Sequence, residues 1–135
     1  MADTFELEIV TPERLVIKDV AREVQVPGKS GYLGILPGHA PLISELAVGE
    51  IVYKDGSNGV HRLACAWGFA EVLPEKVTIL AETAERAEQI DVARATEARD
   101  RAERLLASAE PDIDYDRALN AVQRAQVRLD VAAGK

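Results

Sequence analysis

Hydrophobic and polar positions alternate along the first part of this chain and fall three and four apart along the last part. Phe5, Leu7 and Ile9 alternate with Glu6 and Glu8, the period of a strand with one buried face. Thr11-Pro12 closes that run. Residues 15–18 and 20–26 predict the next strands, ended by Pro27-Gly28. Segments 51–54 and 60–66 flank Asp55-Gly56-Ser57-Asn58-Gly59. Its Asp-Gly and Asn-Gly pairs accept positive φ and so favour a hairpin turn. Residues 69–73 turn at Pro74-Glu75, and 77–81 complete the series. Short strands with turns at this spacing predict a sandwich or small barrel.

The later pattern is helical. Tyr115, Ala118, Leu119, Val122, Ala125, Leu129 and Ala132 form one apolar stripe. Ile90, Ala95, Ala98, Ala102, Leu105, Leu106 and Ala109 form a second, richer in alanine. Each predicts a helix of about eighteen residues, roughly 27 Å long. The short link 108–112 predicts an antiparallel hairpin. Alanine buries little apolar area, so at ~25 cal/mol per Å² the hairpin is lightly held and suited to be a mobile arm. Both helices open on one phrase: Ile90-Asp91-Val92-Ala93-Arg94-Ala95 recurs as Ile113-Asp114-Tyr115-Asp116-Arg117-Ala118. Each aspartate predicts an N-cap, and the flanking isoleucine and alanine a small hydrophobic staple. The phrase alone is a helix start.

Composition sharpens the seam between these halves and places it at Ala84. Residues 1–84 hold eight of nine glycines and five of six prolines. Residues 85–135 hold twelve alanines and eight of eleven arginines. The predicted class is therefore β + α, with a β domain at 1–84 and an α-helical hairpin at 85–135. The front has seven basic and twelve acidic residues, net −5; the back has nine and eleven, net −2. Neither is the basic face that nucleic acid requires. The lone Cys65, among Leu63, Ala64 and Ala66, predicts a buried structural thiol. His39 and His61 stand 22 residues apart, and the sequence predicts no metal site. No Ser-His-Asp or Cys-His spacing supports nucleophilic catalysis, and the carboxylates scatter along polar strand faces. The acidic first residues predict no signal peptide, and no run approaches the ~20 apolar residues of a membrane span. These features predict a soluble intracellular protein, at a membrane only through a partner.

One loop stands apart: Gly31-Tyr32-Leu33-Gly34-Ile35-Leu36-Pro37-Gly38-His39-Ala40-Pro41-Leu42. Three glycines and two prolines fix an irregular backbone. Two readings stand side by side: a bent strand at a barrel corner, or a docking surface presenting Tyr32, Leu36 and His39. It is not a phosphate loop, since it lacks the Gly-Lys-Ser/Thr ending and a following helix.

These residues resemble a known family. Gly34-Ile35-Leu36-Pro37-Gly38-His39-Ala40-Pro41-Leu42, then Val77-Thr78-Ile79-Leu80-Ala81, then Ile90-Asp91-x-x-Arg94-Ala95 match, in order, the epsilon subunit of bacterial F-type ATP synthase. The resemblance spans essentially the whole chain. It implies an N-terminal β-sandwich of roughly ten strands and a C-terminal antiparallel two-helix hairpin. It implies a non-catalytic place in the rotating central stalk, against the gamma subunit and the ring of c subunits. There the subunit couples proton-driven rotation to ATP synthesis. Its hairpin restrains ATP hydrolysis when it extends along gamma toward the catalytic alpha/beta head. The complex places it peripherally, on the cytoplasmic side of the bacterial cell membrane. The loop residues Tyr32, Leu36, His39 and Leu42 fall in the region the family uses for rotor docking.

Some family members bind ATP on the folded-down hairpin as a regulatory ligand; no other cofactor is implied. The matching residues are Ile90, Asp91, Arg94 and Ala95, with Arg101 on the first helix and Arg124 and Arg128 on the second. Arg94 and Arg101 share one helix face, as do Arg124 and Arg128. Four guanidiniums at a common edge would engage a triphosphate through bidentate bonds, and Asp91 would accept from the adenine amino group. The alternative is that these arginines pair with Asp91, Glu97 and Asp130 on a solvated face, leaving a structural coupler without nucleotide. An out-of-class alternative is a ligand-binding β domain with a helical dimerisation tail. Two departures stand out: Ala66-Trp67-Gly68-Phe69, where relatives often have a small residue and a glycine pair, so that Trp67 puts a bulky ring there, and Glu110-Pro111, which stiffens the interhelical link.

Overall fold

A computed structural model describes residues 3–108 and 110–134. Ala109, at the end of the first alanine stripe, lies outside them. Six strands come first: β1 (Phe5–Val10), β2 (Leu15–Gly28), β3 (Gly31–Ile35), β4 (Leu42–Asp55), β5 (Val60–Val72) and β6 (Lys76–Arg86). A single 3-10 turn, Ala87–Gln89, leads to α1 (Val92–Ala107) and α2 (Tyr115–Ala132).

The sheet order is β1-β6-β5-β4-β2-β3, and β1 also pairs with β2. That extra pairing closes five strands on themselves, while β3 extends the far half of β2. β1 runs antiparallel to β2 and parallel to β6. The sandwich predicted from the sequence is present, but with six strands rather than roughly ten. The difference has a physical reason. β2, β4 and β5 run 14, 14 and 13 residues and bend, so one strand serves both layers. Segments 15–18 and 20–26, read separately from the sequence, are one continuous β2, and 60–66 and 69–72 are one β5, with Leu73 just past its end.

β5 bends at Trp67-Gly68. Trp67 has φ 52° and Gly68 φ 130°. Ala66 pairs with Thr83 and Gly68 with Ala81, so Trp67 is skipped without loss of register. A Cβ on Gly68 would lie 1.9 Å from the Leu80 carbonyl oxygen, so β6 passes where any side chain would stand. The left-handed backbone at a tryptophan costs about 1–2 kcal/mol.

The core fills the closed sheet. Leu7, Ile9, Ile51, Leu63 and Ile79 have no exposed surface. Tyr53 is the largest side chain among those fully buried. Its hydroxyl donates to Asp19 Oδ2 at 3.0 Å. Burial, and then that contact with a carboxylate, push its pKa well above the ordinary tyrosine range. Cys65 is 2% exposed, and burial pushes its thiol up to about 12.

Both helices start as their sequence predicts. Asp91 accepts from Arg94 N at 3.0 Å and Asp114 from Arg117 N at 3.1 Å. Among the described residues, Ala95 and Ala102 of α1 and Ala118 and Ala125 of α2 are the buried alanines of the hairpin. The Tyr115 hydroxyl donates to the Leu106 carbonyl at 3.1 Å and fastens the hairpin near its turn. α2 is the helix that lies on β5 and β4. Its apolar contact there is small: Ala64, Ile90 and Val131, with Ala87, Val127 and Ala132 around them. Ala84 lies inside β6 and pairs with Cys65.

Two outcomes are expected. Gly68→Ala must relieve a clash with backbone and adopt positive φ, so it should cost at least about 2 kcal/mol in a urea melt. Cys65 should resist a thiol-specific reagent at pH 8 and react only as the sandwich unfolds, read by colorimetric titration with and without denaturant.

Candidate functional site

The site worth following is the seam where α2 meets β5 and β6. Residues four apart on α2 reach the sandwich by different means. The Arg124 guanidinium carbon sits 5.3 Å from the centre of the Trp67 ring, a cation–π contact. Arg128 Nε lies 3.2 Å from Glu85 Oε1. Both arginines line a cavity of about 210 Å³ between α2 and the sandwich. Arg14 joins them on that lining, and so do Glu13, Glu82 and Glu85. The cavity therefore matches three cations with three anions.

The strengths are modest. Side chains of Arg128 and Glu85 are 38% and 34% exposed, and pairs so hydrated contribute about 0–1 kcal/mol. A cation–π contact at this exposure contributes about 0.5–1 kcal/mol. The apolar part of the seam is made of alanine, valine and one isoleucine. Among the described residues the two helices are thus tied to the sandwich by a small apolar cluster, an ion pair and a cation–π contact, each individually easy to release.

Ile90 is 9% exposed and packs in that cluster beside Ala64 and Val131. Ala95 is buried, and Asp91 is engaged as the α1 N-cap. Arg94 and Arg101 are exposed on α1. Among the described residues neither guanidinium has an ion pair or hydrogen bond, and neither lines the cavity. The structure thus brings Arg124 and Arg128 together at the sandwich and leaves Arg94 and Arg101 elsewhere. The acids paired to arginines on the hairpin are Glu85, Asp100 and Glu103. Asp130 accepts from Gln126 instead.

The 31–42 loop is part strand and part turn. Its first five residues are β3, an edge strand on β2. Tyr32 is 54% exposed, and its hydroxyl accepts from Glu50 N at 3.0 Å. The ring lies over Gly49, where a Cβ would come within 2.7 Å of that hydroxyl. Gly38 N donates to the Pro74 carbonyl, tying the loop to the β5–β6 turn. His39 is half-buried, with Nδ1 2.7 Å from the Ala40 carbonyl oxygen. Leu36, Leu42, Ile43 and Leu73 are exposed at this end, Ile43 at 70%. A second apolar strip crosses the sheet: Val10 pairs with Leu80, and Leu80 with Phe69. Leu80 and Phe69 are each 53% exposed, beside Trp67 in a shallow groove of about 680 Å³.

Sequence reasoning missed Glu85, Phe69, Leu80 and Ile43. Leu80 carried a signal: Val77, Ile79 and Ala81 face inward, so Leu80 is out of phase with its neighbours. Glu85 carried none, because its partner lies on another element.

Comparison with known proteins gives a consistent result. Residues 4–87 match the family model for the ATP synthase delta/epsilon chain β-sandwich domain, and residues 88–133 that for its long α-helix domain. An ATP synthase epsilon chain of Koribacter versatilis is 68% identical over 112 residues, covering 83% of this chain and 78% of the relative. The epsilon chain of Solibacter usitatus is 46% identical over 135 residues, covering all of both chains. A chain in the Euglena gracilis mitochondrial ATP synthase OSCP/F1/c-ring structure superposes with a TM-score of 0.84 at 18% identity, covering 98% of this chain and 83% of that one. A chain in the Tetrahymena thermophila mitochondrial ATP synthase central stalk/c-ring structure has a TM-score of 0.55 at 12% identity, covering 96% and 94%.

Arg124→Ala should expose the sole tryptophan to collisional quenching by acrylamide. Paired with Arg128→Ala it should speed amide exchange in α2 roughly five- to tenfold, with β5 unchanged. Equal quenching in wild type and variant would show that the guanidinium does not cover Trp67.

Proposed function

The chain belongs to the ATP synthase epsilon-chain family, and on that premise we propose that it is a non-catalytic central-stalk subunit with a regulatory arm. The sandwich docks to gamma and to the ring of c subunits. The helical hairpin folds against the sandwich in one state and extends along gamma toward the alpha/beta head in another, where it restrains ATP hydrolysis. The observation that carries this reading is the contrast between the two surfaces. The sandwich offers large exposed apolar side chains to a partner, whereas the arm is held by small residues and hydrated polar contacts. An exposed apolar end of this kind marks an interaction site. The complex then holds the subunit at the cytoplasmic side of the membrane. No helix among the described residues is long and apolar enough to cross it.

ATP is the proposed regulatory ligand of the hairpin, through Ile90, Asp91, Arg94, Ala95, Arg101, Arg124 and Arg128. In the folded arrangement Arg124 and Arg128 already face Trp67 and Glu85, and the cavity they line is as acidic as it is basic. A triphosphate would have to draw both arginines away from those partners and gather Arg94 and Arg101 beside them. The same observation favours a second reading, a structural coupler whose arginines serve only the seam.

Calorimetric titration with ATP separates the two readings. Binding that disappears in the Arg124→Ala/Arg128→Ala variant supports the regulatory site. Equal heats with and without those arginines exclude it. Deleting residues 88–135, which leaves β6 whole, should raise ATP hydrolysis by the assembled enzyme while the truncated subunit still co-purifies with gamma. Loss of co-purification would count against sandwich docking, and unchanged hydrolysis against an inhibitory arm.

A further inference from the structure

A cluster of ligating side chains lies at the far end of β4 from Leu42. Asp19 comes from β2, Asp55 from the end of β4 and His61 from the start of β5, three strands adjacent in the sheet. One oxygen of each aspartate and one ring nitrogen of His61 lie within 4.8 Å of one another. Each carboxylate has its other oxygen engaged by backbone. Asp19 Oδ1 accepts from Val20 N at 2.8 Å. Asp55 Oδ1 accepts from Ser57 N and Gly59 N, both at 2.8 Å. The Oδ2 atoms are thereby set apart for one another's neighbourhood. Asp55 Oδ2 lies 2.8 Å from His61 Nε2, and Asp19 Oδ2 accepts from the buried Tyr53 hydroxyl. The His61 ring stacks on Tyr53, with centroids 4.6 Å apart and planes at 15°. Side chains of His61 and Asp55 are 42% and 24% exposed, so a hydrated ion has access.

A His–Asp pair by itself would need only Asp55. Asp19 adds a second carboxylate, and among the described residues no lysine or arginine forms an ion pair with either aspartate. Two negative charges converge beside one imidazole, on a rigid three-strand platform, each donor oriented by a further hydrogen bond or stack. Outer contacts of that kind are what fix ligands in metal sites. We propose that Asp19, Asp55 and His61 form a binding site for a divalent first-row transition ion of the Zn²⁺ type, cross-linking β2, β4 and β5. One imidazole nitrogen and two carboxylate oxygens suit Zn²⁺ or Co²⁺; Ca²⁺ wants six to eight oxygens, roughly, and is a poor match. The ion takes the lone pair of His61 Nε2 and replaces the His61–Asp55 hydrogen bond; a neutral ring then carries its proton on Nδ1, and a doubly protonated ring releases its Nε2 proton to solvent. Tyr53 keeps its bond to Asp19, since a carboxylate oxygen accepts more than one partner. Solvent completes the coordination.

The test uses the intact, tag-free chain and two probes. Zn²⁺ is titrated by calorimetry, and Co²⁺ by its visible d–d absorption. Wild type should bind one equivalent of each and melt at higher temperature in Zn²⁺. His61→Gln and Asp19→Asn should each weaken binding at least tenfold; both keep the size and hydrogen-bonding reach of the residue replaced, and circular dichroism checks their folding. His39→Gln should bind as wild type does. No stoichiometric binding to wild type, or binding undiminished in both His61→Gln and Asp19→Asn, or binding lost in His39→Gln, would overturn the site.

Discussion

β5 and β6 approach so closely at Gly68 that no side chain fits between them, and much of the molecule follows from that contact. A strand of 13 residues would, if straight, leave the core halfway along. The positive φ angles at Trp67 and Gly68 turn it, so its two halves serve different layers. The turn leaves the Trp67 indole where Arg124 of α2 can cover it. A backbone feature that closes the sandwich thus also supplies the hairpin's aromatic foothold. The strain at Trp67 is local, and the ladder resumes in register on both sides.

The hairpin has a different physical character. Its inner seam is alanine on alanine, which lets two helices approach closely while burying little apolar area. Its outer seam against the sandwich relies on an ion pair and a cation–π contact that water partly screens. Such contacts favour one geometry over others without making departure costly. The sandwich is held by large, fully buried aliphatic side chains. The two parts share one chain and differ in how firmly each is fixed.

Much of this was legible in the sequence, for identifiable reasons. Alternation at Phe5, Leu7 and Ile9 reports a buried face directly, and Asp91 and Asp114 announce their helices because capping is a local interaction. Strand continuity was not legible. Asp19 and Trp67-Gly68 interrupt the hydrophobic pattern without interrupting the strand, so long bent strands were read as pairs of short ones. The contacts of Arg124 and Arg128 were also beyond reach, since Trp67 and Glu85 lie some forty to sixty residues away along the chain. The neighbourhood of His61 is similar. Its spacing from His39 argues against a shared site, but Asp19 and Asp55 meet it only once β2, β4 and β5 lie side by side.

The parallel pairing of β1 with β6 sets an order on assembly. Residues 6–10 find these partners only in residues 76–80, nearly the whole sandwich later. β1 can zip to β2 early, but the sheet stays open on its other side until β6 is made. A chain emerging from the ribosome therefore carries an unpaired strand edge until residues 76–80 are made, the period in which strangers can pair with it. The two helices pair with each other across one short link, and that pairing needs no such wait. The arm is thus made after the strands it rests on, arriving at a body that has only just closed.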